Sequence, residues 1–304
     1  MQEVLRAKYT RKVFLACTSL SIIVLILISY LVIPENVTNS AWKKFLTDLC
    51  NGISFSLIST IFIGLFIYYF TPEIKSNPEI EIAEARQLSE LFDEAFPTTK
   101  KWWYTGGCGR YFRTKTLPEM VRRARTDSHT REIKVIILDP QDIKLCTAHA
   151  HYRSSTASAK LESEQWTPKK VQNELFATIV TTLILQIKNN LLSIKLSLAP
   201  IFSTFRLDLS DRYVIVTKED RKAPAIKCSS TSYYYESYKA EILTIEKQSK
   251  TVKPLVNNTY ELGNLKKDDI KNILNEVDLF DPSLIDEDLE KIAKICNDRK
   301  NPYA

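Results

Sequence analysis

The apolar residues of the chain fall into three successive patterns. Residues 13–33 and 53–71 are two runs without a single charged residue. Each is about 20 residues long, and at ~1.5 Å of rise per residue either would cross the ~30 Å hydrocarbon core of a bilayer. They predict a transmembrane helical hairpin over residues 13–71. A cleaved signal peptide fits poorly, because the first run exceeds the usual 7–15 apolar residues and ends in Tyr30-Leu31-Val32-Ile33-Pro34 instead of a small-residue cleavage site. Two buried helices of a soluble fold are the other alternative.

Beyond the second run the spacing changes. Ile80, Ala83, Leu88, Leu91, Phe92 and Ala95 predict an amphipathic helix over 79–96, ended by Pro97. Trp102-Trp103-Tyr104-Thr105 predicts a strand. Thr116, Pro118 and Glu119 mark a helix start with Thr116 as N-cap, the helix running to Arg125. The continuous, β-branched run 134–140 predicts a central strand covered on both faces. Val171, Leu175, Ile179, Leu183 and Ile187 recur at helical spacing behind Pro168, and Lys169, Lys170, Asn173 and Glu174 make this helix too polar for a third span.

A period of two follows at 193–198 and 205–209, with another strand at 212–217, a covering helix at 233–247 and two short helices after Lys266. The fold class is thus a transmembrane helical hairpin plus a cytosolic α/β domain. The predicted organisation is a basic N-terminus (1–12), the hairpin (13–71), a linker with an amphipathic helix (72–99), the α/β domain (100–250) and a charged helical tail (251–304).

Charge adds orientation. Arg6, Lys8, Arg11 and Lys12 precede the first run, whereas Lys43 and Lys44 in the connection 34–51 are balanced by Glu35 and Asp48. Basic flanks stay inside, so both termini are predicted cytoplasmic. A net charge of +6 over 304 residues is too small to imply general binding to nucleic acid or lipid surfaces. The six cysteines are scattered without a Cys-x-x-Cys pair, the pattern of reduced cytosolic thiols.

Candidate chemistry gathers after the aromatic strand. Three of the six glycines, Gly106, Gly107 and Gly109, lie in one turn, within a segment (100–134) that holds ten Lys or Arg against Glu119, Asp127 and Glu132. Gly106, Gly107, Gly109, Arg110, Arg113, Arg122 and Arg123 therefore form a candidate contact for an anion or nucleic acid. A tight strand-to-helix turn beside a solvated basic face explains the same residues, and no complete phosphate-loop pattern is present. Cys146, His149 and His151 are close in sequence, but no second ligand cluster accompanies them, so neither metal nor cofactor is expected.

Trp103-Tyr104-Thr105-Gly106, Arg110-Tyr111, Thr116-Leu117-Pro118 and Ile136-Ile137-Leu138-Asp139-Pro140 resemble a domain of bacterial proteins with a phospholipase-D-like α/β fold. The resemblance covers about residues 100–245 and would put the catalytic strand of that superfamily at 209–220. Competent members carry His-x-Lys-x4-Asp, in which histidine attacks the phosphodiester and lysine neutralises its oxygens. None of His129, His149 and His151 is followed two residues on by lysine. The resemblance thus implies the fold and argues against hydrolysis, with Asp139, Asp211, Lys218 and Asp220 as a remnant site.

With its two spans, the layout resembles the two-transmembrane effectors of bacterial retron anti-phage systems. That resemblance implies an inner-membrane toxin of abortive infection, restrained by a reverse transcriptase and its DNA–RNA hybrid. It also implies disruption of the bilayer on release, and homo-oligomers through the hairpin are expected. The alternatives are a membrane-tethered phosphodiesterase or nuclease, and a nucleotide- or nucleic-acid-sensing membrane protein.

Overall fold

The computed structural model describes residues 8–29, 41–70, 79–159, 164–220, 222–257 and 259–298. The chain divides into two compact units, Met1–Ser76 and Asn77–Ala304. The first contains α1 (Lys8–Leu27) and α2 (Ala41–Phe70), which lie against each other. Within α2, the 23-residue stretch Lys44–Phe66 reaches a mean hydropathy of 1.8 over 18 residues; among the described residues it is the one helix long and apolar enough to cross a membrane. Lys12–Leu27 is apolar but shorter. The predicted end of the first run (30–33) and residues 34–40 of the connection lie outside the described residues.

The rest of the predicted connection is not a loop, because α2 already begins at Ala41 and takes in Lys43, Lys44 and Asp48. Charged residues do not by themselves break a helix, and lysine is among the better helix formers. Thr18, Ser21, Ser54 and Thr60 each donate a hydroxyl hydrogen bond to the carbonyl four residues earlier, at 2.7, 2.9, 2.8 and 2.9 Å. Their polar atoms are thereby satisfied within their own helix.

The second unit is a mixed α/β body around one eight-stranded sheet in the order β1-β7-β6-β5-β2-β3-β4-β8. The strands are β1 (Ile80–Ala83), β2 (Lys101–Thr105), β3 (Arg131–Leu138), β4 (Leu192–Ala199), β5 (Phe205–Leu209), β6 (Tyr213–Lys218), β7 (Ala225–Ser229) and β8 (Lys250–Thr251). β2, β3 and β4 are parallel neighbours, and the remaining pairings are antiparallel. β3 is central as its sequence requires, with Val135 to Leu138 buried in succession on both faces.

The helices are α3 (Leu88–Ala95), α4 (Leu117–Asp127), α5 (Ile143–Ser155), α6 (Pro168–Ile187), α7 (Tyr233–Gln248), α8 (Lys267–Glu276) and α9 (Asp286–Asn297). α7 closes one face of the sheet over Trp103, Leu207, Leu209, Val214 and Val216. Its Glu246 anchors it through Lys134 of β3 at 2.7 Å and Lys195 of β4 at 2.6 Å. The other face carries the larger core, in which α6 is buried over most of its length. Thr167 caps α6 by accepting the Lys170 N–H, and Pro168 occupies its first turn.

Three expectations change. Residues 79–96 are not one helix: β1 pairs with β7, and the helix proper is Leu88–Ala95. Ile80, Glu81 and Ile82 alternate, so this segment also satisfies a period of two, and the free edge of β7 selects it. Thr116 does not cap α4. It is itself helical at the end of a π-turn, Phe112–Thr116, and Glu119 pairs with Arg122 and Arg123. The charged tail is not separate, since Leu265, Ile270, Leu274 and Ile292 join the larger core and the Cys296 thiol meets the Ala177 carbonyl of α6 at 3.6 Å.

Candidate functional site

The parallel strands β2 and β3 end at the same edge of the sheet where β5 begins and β6 ends, since Thr105 pairs with Leu207 and Phe205 with Lys218. The carboxyl ends of β2 and β3 lie here, where the chain leaves β4 and returns as β5 on the other side of β2, the kind of switch point at which ligands of open α/β sheets bind. The turn Gly106-Gly107-Cys108-Gly109 leaves β2 here, Arg206 stands on β5, Glu219 follows β6, and α5 lays His149 and Arg153 across the edge.

These side chains form one network. His149, fully buried, shares a 2.6 Å hydrogen bond through Nε2 with Glu219 Oε2. The Gly107 N–H donates to Glu219 Oε1 at 3.0 Å, and Arg153 donates to the Glu219 carbonyl. Cys108 Sγ lies 3.9 Å from His149 Nδ1. Trp166 and Phe202 present their rings edge-on to the imidazole, at 5.9 and 5.5 Å between centroids. Arg110 and Arg153 stack over Trp166 at 5.2 and 4.8 Å. Arg206 pairs with buried Asp208 at 2.8 Å while its guanidinium lies over Phe92 and Tyr111.

The electrostatics follow from this geometry. Burial works to lower the His149 pKa, but Cys108 and the Glu219 carboxylate outweigh it and raise it to about 10. For Glu219 burial raises the pKa, and the charge of His149, its hydrogen bond, and Arg153 and Arg206 overcome it to hold the carboxyl down at about 2. Around neutrality the pair is imidazolium and carboxylate.

A histidine raised on folding contributes stability that is complete below its ordinary 6.5 and lost as pH rises through about 10. The depressed glutamate contributes stability that is complete above 4.5 and lost as pH falls through about 2. Melting temperatures measured from pH 5 to pH 10 should therefore fall across the alkaline part of that range. They should do so less steeply in His149→Gln, and parallel curves for the two proteins would remove the pair from the account.

Two cavities meet at this network. The inner one, about 10 Å³, is lined by Cys108, Arg110, Arg153 and Trp166, among others, and is about the size of one water. The outer one, about 230 Å³, opens at the first turn of α3. Tyr111, Arg206 and Glu219 line both.

The residues singled out in the sequence separate. Gly107 and Gly109 are buried, and the anion that the turn meets is the protein's own Glu219. Gly109 adopts φ +68° against Thr178 of α6, the left-handed conformation that favours glycine. Arg113 is interior, bonded to Glu174 at 2.7 Å and to Thr178 Oγ1 at 2.9 Å, with Arg110 3.4 Å from the same Glu174. Arg122 and Arg123 project from α4 and pair with Glu119; Arg122 and Arg113 also line a cleft of about 580 Å³ between α4 and α6.

Asp139 stabilises the turn after β3 through the Gln141 N–H, and Lys218 and Asp220 lie at the same sheet edge. Asp211 is at the opposite end, accepting from the Lys100 and Lys101 N–H groups, so the four remnant residues do not converge. Cys146 and His149 are buried while His151 is exposed, and among the described residues no three His, Cys, Asp or Glu are grouped to hold a metal.

Cys108, Arg153, Arg206 and Glu219 carried no local signal. They come from four separate segments, and α5, which brings His149 and Arg153, spreads its apolar residues around the helix instead of along one stripe.

No protein-family model matches the chain, and no curated protein matches it. Among solved structures it is similar to TrmBL2, an archaeal chromatin protein whose structure shows a novel mode of DNA binding. The likeness has a TM-score of 0.31 and 9% sequence identity, and covers 69% of this chain and 69% of that chain.

Proposed function

We propose that the chain is a membrane-anchored effector of bacterial antiviral defence, of the two-transmembrane retron type. In this reading α1 and α2 form an inner-membrane hairpin with both termini cytoplasmic. The α/β body, phospholipase-D-like in layout but not a hydrolase, keeps the hairpin in check while a reverse transcriptase and its DNA–RNA hybrid are bound. Release lets hairpins assemble and breach the bilayer.

The observation that carries this reading is the surface of α2. Phe55, Phe62 and Phe66 are 73, 71 and 56% exposed in the part of α2 from residue 52 to 70, which holds only glycine, apolar and hydroxyl residues. Such a surface is a liability in water and the expected one in lipid. Lys44–Phe66 contains one carboxylate, Asp48, near its start, so a selective pathway lined by charges is not expected. Against hydrolysis stands His149, which is buried on Glu219 instead of being paired with a lysine two residues on. For a nucleoprotein partner, the exposed cations of the basic segment are Lys100, Arg122 and Arg125, with Arg123 half-buried beside Arg122.

The test is to induce the chain alone in bacteria and follow membrane potential and dye entry. Depolarisation, suppressed when the reverse transcriptase and its hybrid are co-expressed, is the expected result. Unchanged potential, or hydrolysis of bis(p-nitrophenyl) phosphate by the purified chain, would favour the tethered phosphodiesterase instead.

A further inference from the structure

Cys108 has surroundings that neither the membrane reading nor the His149–Glu219 pair uses. It sits in the turn that leaves β2, among Gly106, Gly107 and Gly109. The helical segment that continues through the π-turn into α4 opens directly after it, the Arg113 N–H donating to the Gly109 carbonyl at 2.8 Å. Glu219 fixes the imidazole of His149 through Nε2, and around neutrality the ring carries a proton on both nitrogens. Its Nδ1–H is therefore a donor, and Cys108 Sγ, 3.9 Å away, is the acceptor it faces. Thiol, imidazolium and carboxylate follow one another, the arrangement that activates a cysteine nucleophile.

The other buried thiols differ. Burial pushes Cys146 up to about 12 and Cys296 up to about 11, and each lies against a main-chain carbonyl, that of Pro140 and that of Ala177. Among the described residues Cys108 is the one cysteine bonded to a histidine. A thiol buried in apolar surroundings is inert, whereas one beside a protonated imidazole is activated. Space then decides what reaches it. The inner cavity that Cys108 lines, about 10 Å³, holds a molecule of about the size of water, and it shares Tyr111, Arg206 and Glu219 with the outer one. An acyl or peptide substrate does not fit, so the site is not that of a hydrolase. Trp166 lines the same cavity, 6% exposed, with its indole N–H buried and without an acceptor among the described residues. Such a donor calls for an explanation.

We propose that Cys108 is a peroxide-reactive thiol, oxidised to a sulfenic acid by hydrogen peroxide in the inner cavity, with His149 as proton donor to the departing oxygen. The thiol releases its proton and the sulfur attacks one oxygen of the peroxide, an S–O bond forming as the O–O bond breaks. The second oxygen leaves as hydroxide and takes the Nδ1 proton of His149 to become water, and the released thiol proton restores the ring. Sulfur is oxidised by two electrons and the peroxide is reduced by the same two. The oxygen left on Cys108 occupies the cavity and is an acceptor for the Trp166 N–H. Oxidation is a chemical input to the α/β body, whether or not the chain acts in a membrane.

The experiment exposes the full chain in detergent to hydrogen peroxide, stops the reaction with catalase at successive times, and then unfolds the protein in urea with iodoacetamide and dimedone. Peptide mass spectrometry gives the fraction of each cysteine lost to iodoacetamide, and the dimedone adduct identifies sulfenic acid. Native Cys108 should oxidise about tenfold faster than the same residue in protein unfolded before exposure, and faster than native Cys146, Cys228 and Cys296. A thiol with only a packing role would be slower when folded, because burial shields it. His149→Gln should bring Cys108 down to the rate of the other buried thiols while the protein still melts cooperatively. Native Cys108 no faster than unfolded Cys108 would overturn the proposal, whether or not that variant folds. So would a folded His149→Gln protein whose Cys108 oxidises at the wild-type rate.

Discussion

Replacing Gly107 with alanine should destabilise the α/β body by about 3–5 kcal/mol, the cost of breaking a buried ion pair from one side. A β-carbon at this position would stand 2.2 Å from His149 Nε2 and 2.5 Å from Glu219 Oε1, inside any tolerable contact. Neither atom can swing aside cheaply. The imidazole is enclosed by Trp166 and Phe202, and the carboxylate is held by His149 and by Gly107's own N–H. Against a total stability of about 5–15 kcal/mol this is a large loss. Urea unfolding would measure it. A second substitution, His149→Ala, should cost less in the Gly107→Ala background than alone, because it removes the clashing ring. Wild-type stability of Gly107→Ala would mean that the turn does not approach the pair this closely.

The second large effect is expected from Phe55→Asp combined with Ile58→Asp, two lipid-facing positions near the middle of Lys44–Phe66 in the membrane reading. Each charge near a span's centre costs roughly 2.5–3.5 kcal/mol of insertion, so together they should exclude α2 from the bilayer. With two spans the C-terminus lies inside. With α1 alone inserted it would lie outside. A phosphatase fused after Ala304, inactive in the wild type because it is cytoplasmic, should become active in the double variant. Equal phosphatase activity in the two proteins would contradict an even number of spans.

What could be read from the sequence follows from how local each signal is. The continuous apolar run at β3, the helical stripe of α6 behind Thr167 and Pro168, and the aromatic run at β2 all stand where their spacing puts them. Residues 79–96 misled because Ile80, Ala83 and Leu88 fit a helical stripe while Ile80 and Ile82 also fit a strand, and only the distant β7 decides between them. α5 escaped notice because it has no apolar stripe.

The candidate site divides in the same way. Its glycine turn is visible as a concentration of a rare residue, whereas the groups it approaches, His149 and Glu219, lie far along the chain and meet it only through the sheet. The arginines were conspicuous by number, yet number did not reveal that Glu174, between Arg110 and Arg113, already supplies their anion.

The central claim is that membrane damage originates in the N-terminal helices while the α/β body regulates it. It is tested most directly by membrane potential in cells expressing either the full chain or residues 77–304, the unit that forms its own core. The account predicts rapid depolarisation by the full chain and none by residues 77–304 at equal expression. Depolarisation by residues 77–304 would place the damaging activity in the α/β body and contradict it.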